Sequence, residues 1–228
     1  MIVLAIDTAA NLCAAALFDA DSNRILSQVT EDIGKGHAER LMALVEQGLA
    51  EAGLSIDRVQ KIAVTVGPGS FTGARVGVST ARGLGLALGC PVVGITTLEA
   101  LAHDTRKSFP HRPVLVAIDA HRGEVFAQFF GIDGTPESEP LAIEPAQLAT
   151  QLESRGAGLV LAGSAAAMLN GMLVAPQFDV APAAATGSIE AIAMIGAARE
   201  AGDKPKPLYL RAPDAKPQQG FTIARQGQ

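Results

Sequence analysis

The sequence is poor in aromatic residues and cysteine, and each shortage excludes a class of protein. It has no tryptophan, one tyrosine and two cysteines among 228 residues, and aromatic residues make up 4% of it. Cys13 and Cys90 both lie in apolar surroundings, so they supply no disulfide framework and fit a reducing compartment. We therefore expect a cytoplasmic protein with an aliphatic core, for which an apolar content of 48% is ample.

Basic charge is also scarce. The chain has 18 Lys and Arg against 23 Asp and Glu, a net charge of −5. Because nucleic-acid binding depends largely on cations that neutralise phosphates, we expect no unaided binding of tRNA or DNA, and any such contact would be indirect, through a partner's basic surface. The opening run MIVLAIDTAA lacks a basic segment and predicts a first strand, not a signal peptide. The least polar run, residues 83–97, is broken by glycine and Pro91, so no membrane span is expected.

Apolar periodicity predicts an α/β protein whose first half has the order βββαβαβα. Three short apolar runs predict hairpin-connected strands, and a broad apolar stripe predicts the first helix. The predicted strands are 2–6, 12–18, 24–30, 61–66 and 92–95, and the predicted helices are 37–52, 70–88 and 97–104.

The second half begins like the first. VLVAIDAHRGEVFAQFF at 114–130 echoes IVLAIDTAANLCAAALF at 2–18, which puts Asp119 and Asp7 in equivalent places. Two lobes of related plan are predicted, residues 1–104 and 105–228, with an irregular tail beyond Leu210. Because Ile-Asp at a strand end is common, the repeat alone leaves duplication and coincidence both open.

The helix predicted at 70–88 contains several glycines. Each costs about 1 kcal/mol relative to alanine inside a helix, so a close backbone contact must offset the cost. That contact could be with the helix's own sheet or with another protein, and we favour a docking face shared with helix 37–52. The predicted interface residues are His37, Leu41, Val45, Phe71, Gly73, Arg75, Gly77, Val78, Ala81, Arg82 and Gly85.

No catalytic or metal-binding residue is predicted from spacing. The Gly-rich stretch GPGSFTGAR lacks both the P-loop lysine and the third glycine of a dinucleotide fingerprint. The four histidines show no metal-ligand spacing. Ser70 does not stand in a nucleophile elbow and is predicted to cap the helix that follows it.

Several motifs together resemble the TsaB family, also called YeaZ. They are IDTA, HAERL, VTVGPGSFTGARVGVSTARGLGLAL, PVVGITTLEALA, DAHRGEV and PLYLRAPDAKP. The resemblance runs from end to end and implies the actin-like, sugar-kinase-like fold. It also implies a role in forming N6-threonylcarbamoyladenosine at position 37 of tRNAs that read ANN codons.

The resemblance further implies a non-catalytic partner and activator of TsaD, the enzyme that transfers the threonylcarbamoyl group. TsaD binds a metal through two histidines in a segment where this sequence has Thr97 and Leu101, so no metal is expected here. Pairing with TsaD would use two helices of the first lobe, the ATPase TsaE would join, and the isolated chain would pair with itself. The alternative is a weak ATPase or a glycoprotease-like hydrolase.

Nucleotide binding stays open in the sequence. In the implied fold, phosphates lie against the hairpins that open the two lobes, which makes Asp7, Thr8 and Asp119 candidate contacts for ATP or ADP. Glycine beside the aspartate is missing from both hairpins. Capping of the turns by the same Asp side chains explains these residues as well.

Overall fold

A computed structural model describes residues 1–156, 158–174 and 178–211 of the chain. The first half contains β1 (Ile2–Asp7), β2 (Leu12–Asp19), β3 (Arg24–Asp32), α1 (His37–Ala52), β4 (Lys61–Gly67), α2 (Phe71–Leu88), β5 (Val92–Thr96) and α3 (Thr97–Ser108). The second contains β6 (Val114–Asp119), β7 (Val125–Phe130), β8 (Leu141–Ile143), α4 (Pro145–Glu153), β9 (Val160–Ala162), α5 (Ala166–Met172), β10 (Asp179–Val180) and α6 (Ile189–Ala198).

Two five-stranded sheets of the same design form the framework. Their strand orders are β3-β2-β1-β4-β5 and β8-β7-β6-β9-β10. In each sheet the first three strands pair antiparallel and the last two pair parallel. The order βββαβαβα thus occurs twice, as the sequence repeat predicted.

The central strands β1, β2 and β4 of the first sheet are covered on both faces, which explains their continuous apolar character. Leu4 and Ile6 on one face of β1 belong to the core under α1 and α2. Val3 and Ala5 on the other face pack in the same cluster as Ile192 of α6. Successive side chains of a strand point to opposite faces, so one short run serves both layers.

The last helix of each half packs on the sheet of the other half. Leu98 and Leu101 of α3 join a cluster with Val116 and Phe130 of the second sheet. Conversely, α6 lies on β1, β2 and β4 of the first sheet. The predicted boundary at residue 104 falls within α3, and each of these two helices covers the sheet of the other half. Periodicity identifies the apolar face of a helix but not the sheet that it covers.

Other sequence predictions match closely. The structure reproduces helix 37–52 and places strand 92–96 and helix 71–88 within one residue of the expected bounds. Among the described residues, no helix combines the length and the apolar character that crossing a membrane needs. The predicted irregular tail beyond Leu210 lies almost entirely outside the described residues.

Candidate docking face and the paired aspartate turns

The helix α2 begins at a well-defined cap. The Ser70 hydroxyl accepts a hydrogen bond from the backbone N–H of Gly73 at 3.1 Å, which confirms the predicted N-cap. The backbone N–H of Ser70 in turn donates to the carbonyl of Ala9 at 2.6 Å. The start of the helix is therefore fastened to the turn between β1 and β2.

The glycines of α2 allow this close approach. A Cβ atom at Gly73 would lie 1.9 Å from the carbonyl oxygen of Thr8, and one at Gly77 would lie 2.5 Å from the Thr8 hydroxyl. A Cβ at Gly85 would lie 2.3 Å from a methyl group of Val92 in β5. Our prediction that the glycine ridge receives a foreign backbone is therefore wrong, because the ridge is filled by its own lobe.

Most of the predicted interface is buried within the chain. On α1 the apolar stripe faces β2 and β3, and on α2 the ridge faces β4, β1 and β5. These faces are not available to an outside chain in this structure, which corrects the prediction for eight of the eleven residues. The buried ones are His37, Leu41, Val45, Gly73, Gly77, Val78, Ala81 and Gly85.

A second face of α2, beside the buried ridge, is exposed and carries the other three predicted residues. Phe71, Arg75 and Arg82 lie on one stripe with Leu86, since spacings of four, seven and four residues return to the same side of a helix. Leu86 is 83% exposed and Phe71 43%. The neighbouring helix α1 exposes Met42. We call Met42, Phe71, Arg75, Arg82 and Leu86 the docking face.

Tyr209 joins the docking face from a distant part of the chain. Its hydroxyl accepts a hydrogen bond from Nε of Arg75 at 2.7 Å. Its ring centre lies 5.1 Å from that of Phe71, and the Arg75 guanidinium lies 3.7 Å from the Phe71 ring centre. Sequence reasoning missed this residue, although it is the one tyrosine of the chain and lies in the PLYLRAPDAKP motif.

The first aspartate turn is enclosed. Asp7 accepts hydrogen bonds from the backbone N–H of Ala9 at 2.9 Å and from the Thr186 hydroxyl at 2.7 Å. Thr8 is fully buried and donates its hydroxyl proton to the carbonyl of Gly73 at 2.7 Å. Burial raises the pKa of the Asp7 carboxyl above its ordinary value. Asp7 and Thr8, two of the three candidate nucleotide contacts, thus have their side-chain polar groups engaged within the chain.

The second aspartate turn repeats the first but is open. Asp119 accepts a hydrogen bond from the backbone N–H of His121 at 2.7 Å, which is the same contact two residues further on. Its backbone N–H donates to the Ser164 hydroxyl at 2.9 Å. The Asp119 side chain is 60% exposed. The two aspartates are equivalent, as predicted, and only the second faces solvent.

The positions where TsaD would have metal ligands are part of the core. Thr97 and Leu101 are 1% and 4% exposed, on the α3 face that packs against the second sheet. Among the described residues, no group of three His, Cys, Asp or Glu side chains could hold a metal ion.

Two copies of one βββαβαβα unit, each opened by an aspartate-ended strand, define the actin-like and sugar-kinase-like class. The solved structure of an uncharacterized Pseudomonas aeruginosa protein with similarity to peptidase YeaZ matches with a TM-score of 0.79. It is 27% identical, over 92% of this chain and 99% of that one.

Sequence comparisons give the family. The family model described as TsaD, tRNA N6-adenosine threonylcarbamoyltransferase, matches residues 22–151. Escherichia coli TsaB, a tRNA threonylcarbamoyladenosine biosynthesis protein, is 36% identical over 55% of this chain and 53% of that protein. An uncharacterized Mycobacterium tuberculosis protein is 33% identical over 94% of each. The chain belongs to the TsaD-like family, in its TsaB (YeaZ) branch. It spans little more than half the length of several curated relatives that it matches.

Proposed function

We propose that the chain is a non-catalytic partner and activator of a TsaD enzyme in the formation of N6-threonylcarbamoyladenosine on tRNA. The names of its relatives give the pathway, and the match to the TsaD-type model supports a partner built on the same fold. Two related chains with equivalent helices can pair through equivalent faces, as in a two-fold interface. The proposed partner contact is the docking face.

The observation that carries the proposal is the character of the docking face. Leu86 is 83% exposed at the C-terminal end of a stripe that also holds Phe71 and two arginines. Aromatic side chains and arginine are enriched at protein interfaces, and the exposed Leu86 side chain adds apolar area beside them. Because the buried face of α2 is already filled, this outer stripe is what the helix offers a partner.

The enclosed first turn supports a role without catalysis. Asp7 and Thr8 are committed to hydrogen bonds within the chain, so one of the two phosphate-facing hairpins of the class is closed. We therefore expect no ATP turnover by the purified chain. Turnover that is lost on the Asp119→Ala substitution would contradict this part of the proposal and support the ATPase alternative.

Leu86→Asp tests the docking face directly. We expect it to weaken binding to TsaD by at least about 30-fold, since burying an unpaired charge within an interface costs about 2 kcal/mol or more. Stability should be nearly unchanged, because the side chain is exposed. Titration calorimetry with purified TsaD gives the affinity, and thermal unfolding gives the stability.

Val174→Asp is the matched control. Val174 is 93% exposed and follows α5 in the second half of the chain, outside the docking face. Its affinity for TsaD should stay within about twofold of the unmodified chain. Equal affinities for the Leu86 and Val174 variants would contradict the proposal.

Association with TsaE, ATP or ADP at the interface, and self-pairing through the same face remain predictions from the family.

A further inference from the structure

The segment Pro205–Arg211 runs from one sheet to the other. On the first sheet, the backbone N–H of Leu208 donates to the carbonyl of Val66 in β4 at 2.8 Å. Tyr209 adds the hydrogen bond from Arg75 and the ring contact with Phe71. This end of the segment is therefore fastened both to the sheet and to the docking face.

Arg211 fastens the other end to the turn that follows β6. Its guanidinium donates to the carbonyls of Ala120 and His121 at 2.6 and 2.9 Å. The same group lies 2.5 Å from the carboxylate of Glu124. Three contacts from one side chain thus hold residues 120–124, directly beside Asp119.

The turn at residues 120–124 has an unusual backbone conformation. His121, Arg122 and Gly123 have φ angles of 59°, 56° and 80°, three consecutive residues in the left-handed region. Residues other than glycine rarely adopt this conformation, and it persists where the surrounding contacts hold the backbone in place. Arg211 is part of those surroundings, since it binds two carbonyls of the turn.

We propose that Pro205–Arg211 is a strap that couples the docking face to the Asp119 turn. Arg211 lies three positions after Leu208, and a stretch of that length spans at most about 11 Å. The strap is therefore too short to absorb a displacement, so loss of the contacts at one end weakens the contacts at the other. The inference goes beyond the proposed function, which it needs only for the identity of the partner at the docking face.

Hydrogen exchange of the isolated full chain tests the strap. The backbone N–H groups of Ala120, His121 and Glu124 are hydrogen-bonded within the turn. We expect Arg211→Ala to raise their exchange at least about tenfold, and Tyr209→Ala at least about fivefold although Tyr209 does not bond to the turn. Tyr209→Phe keeps the ring contact and should give a smaller rise.

Two references make the result decisive. Amides of the buried strands β1 and β6 report general loosening, and Val174→Ala is a control at an exposed position outside the strap. A rise confined to the turn in the Tyr209 and Arg211 variants supports the strap. An unchanged turn in either variant, or an equal rise in the strands, overturns it. Neither outcome depends on TsaD binding, which the Leu86→Asp experiment tests separately.

Discussion

At the scale of single residues, Asp7 and Asp119 occupy turns of the same design, one buried and one exposed. Both carboxylates accept the N–H two residues ahead, but Asp7 is 2% exposed and also accepts from Thr186. The Thr186 contact comes from a segment 179 residues away and closes the first turn. A carboxylate in that setting is costly to ionise, which gives stability a measurable dependence on pH.

Asp7→Asn should therefore gain stability relative to the unmodified chain as pH rises. Burial raises the pKa of Asp7 in the folded state, so the folded protein holds the proton more tightly than the unfolded chain. The charged form then lowers the free energy of unfolding as pH rises from about 4, the unfolded value, through the folded-state pKa. The asparagine amide oxygen still accepts from the backbone N–H of Ala9, and its NH₂ group can donate to the Thr186 hydroxyl oxygen.

Urea unfolding of both proteins between pH 4 and 7 measures this difference. Asp119→Asn is the matched control, because it makes the same change in the exposed counterpart turn. A difference between Asp7→Asn and the unmodified chain that shrinks or reverses as pH rises would contradict the assignment of Asp7 as a destabilising buried carboxylate.

At the scale of elements, α2 uses one face for packing within the chain and a different face for the proposed contact with a partner. Its glycines fit the helix onto Thr8 and Val92, and its outer stripe carries Phe71 and Leu86. The two glycines Gly73 and Gly83 lie on different sides. A Cβ at Gly73 would meet backbone at 1.9 Å, whereas nothing lies within 4 Å of one at Gly83.

Alanine at these two positions should have opposite effects. Gly73→Ala forces the helix away from the Thr8 carbonyl and should lower the free energy of unfolding by about 1–3 kcal/mol. Gly83→Ala meets no neighbour and should raise it by up to about 1 kcal/mol through helix propensity. Denaturant unfolding gives both values. Equal stabilities of the two variants would contradict this account of the ridge.

Sequence reasoning located α1 and α2 because their signals are local. The three- and four-residue apolar spacing and the Ser70 cap lie within the elements that they define. It misjudged the glycine ridge because a line of small residues does not say what fills it. Contacts such as Arg75 to Tyr209, 134 residues apart, leave no periodic trace. The packing of α3 and α6, each on the sheet of the other half, also depends on contacts between distant parts of the chain, so periodicity does not reveal it.

At the scale of the whole molecule, the duplication produces two helix pairs with different surroundings. The pair α4 and α5 occupies in the second sheet the place of α1 and α2 in the first. It also exposes apolar groups, since Met168 and Met172 are 47% and 44% exposed. Met42 on the first pair is 40% exposed, so the chain carries matched reporters on the two candidate surfaces.

Methionine oxidation in the complex with TsaD tests the central claim most directly. Exposed methionines oxidise readily to the sulfoxide, and burial by a partner slows the reaction. Binding of TsaD is predicted to protect Met42 several-fold and to leave Met168 and Met172 as reactive as in the free chain. Protection of Met168 and Met172 with Met42 unchanged would contradict docking through α1 and α2.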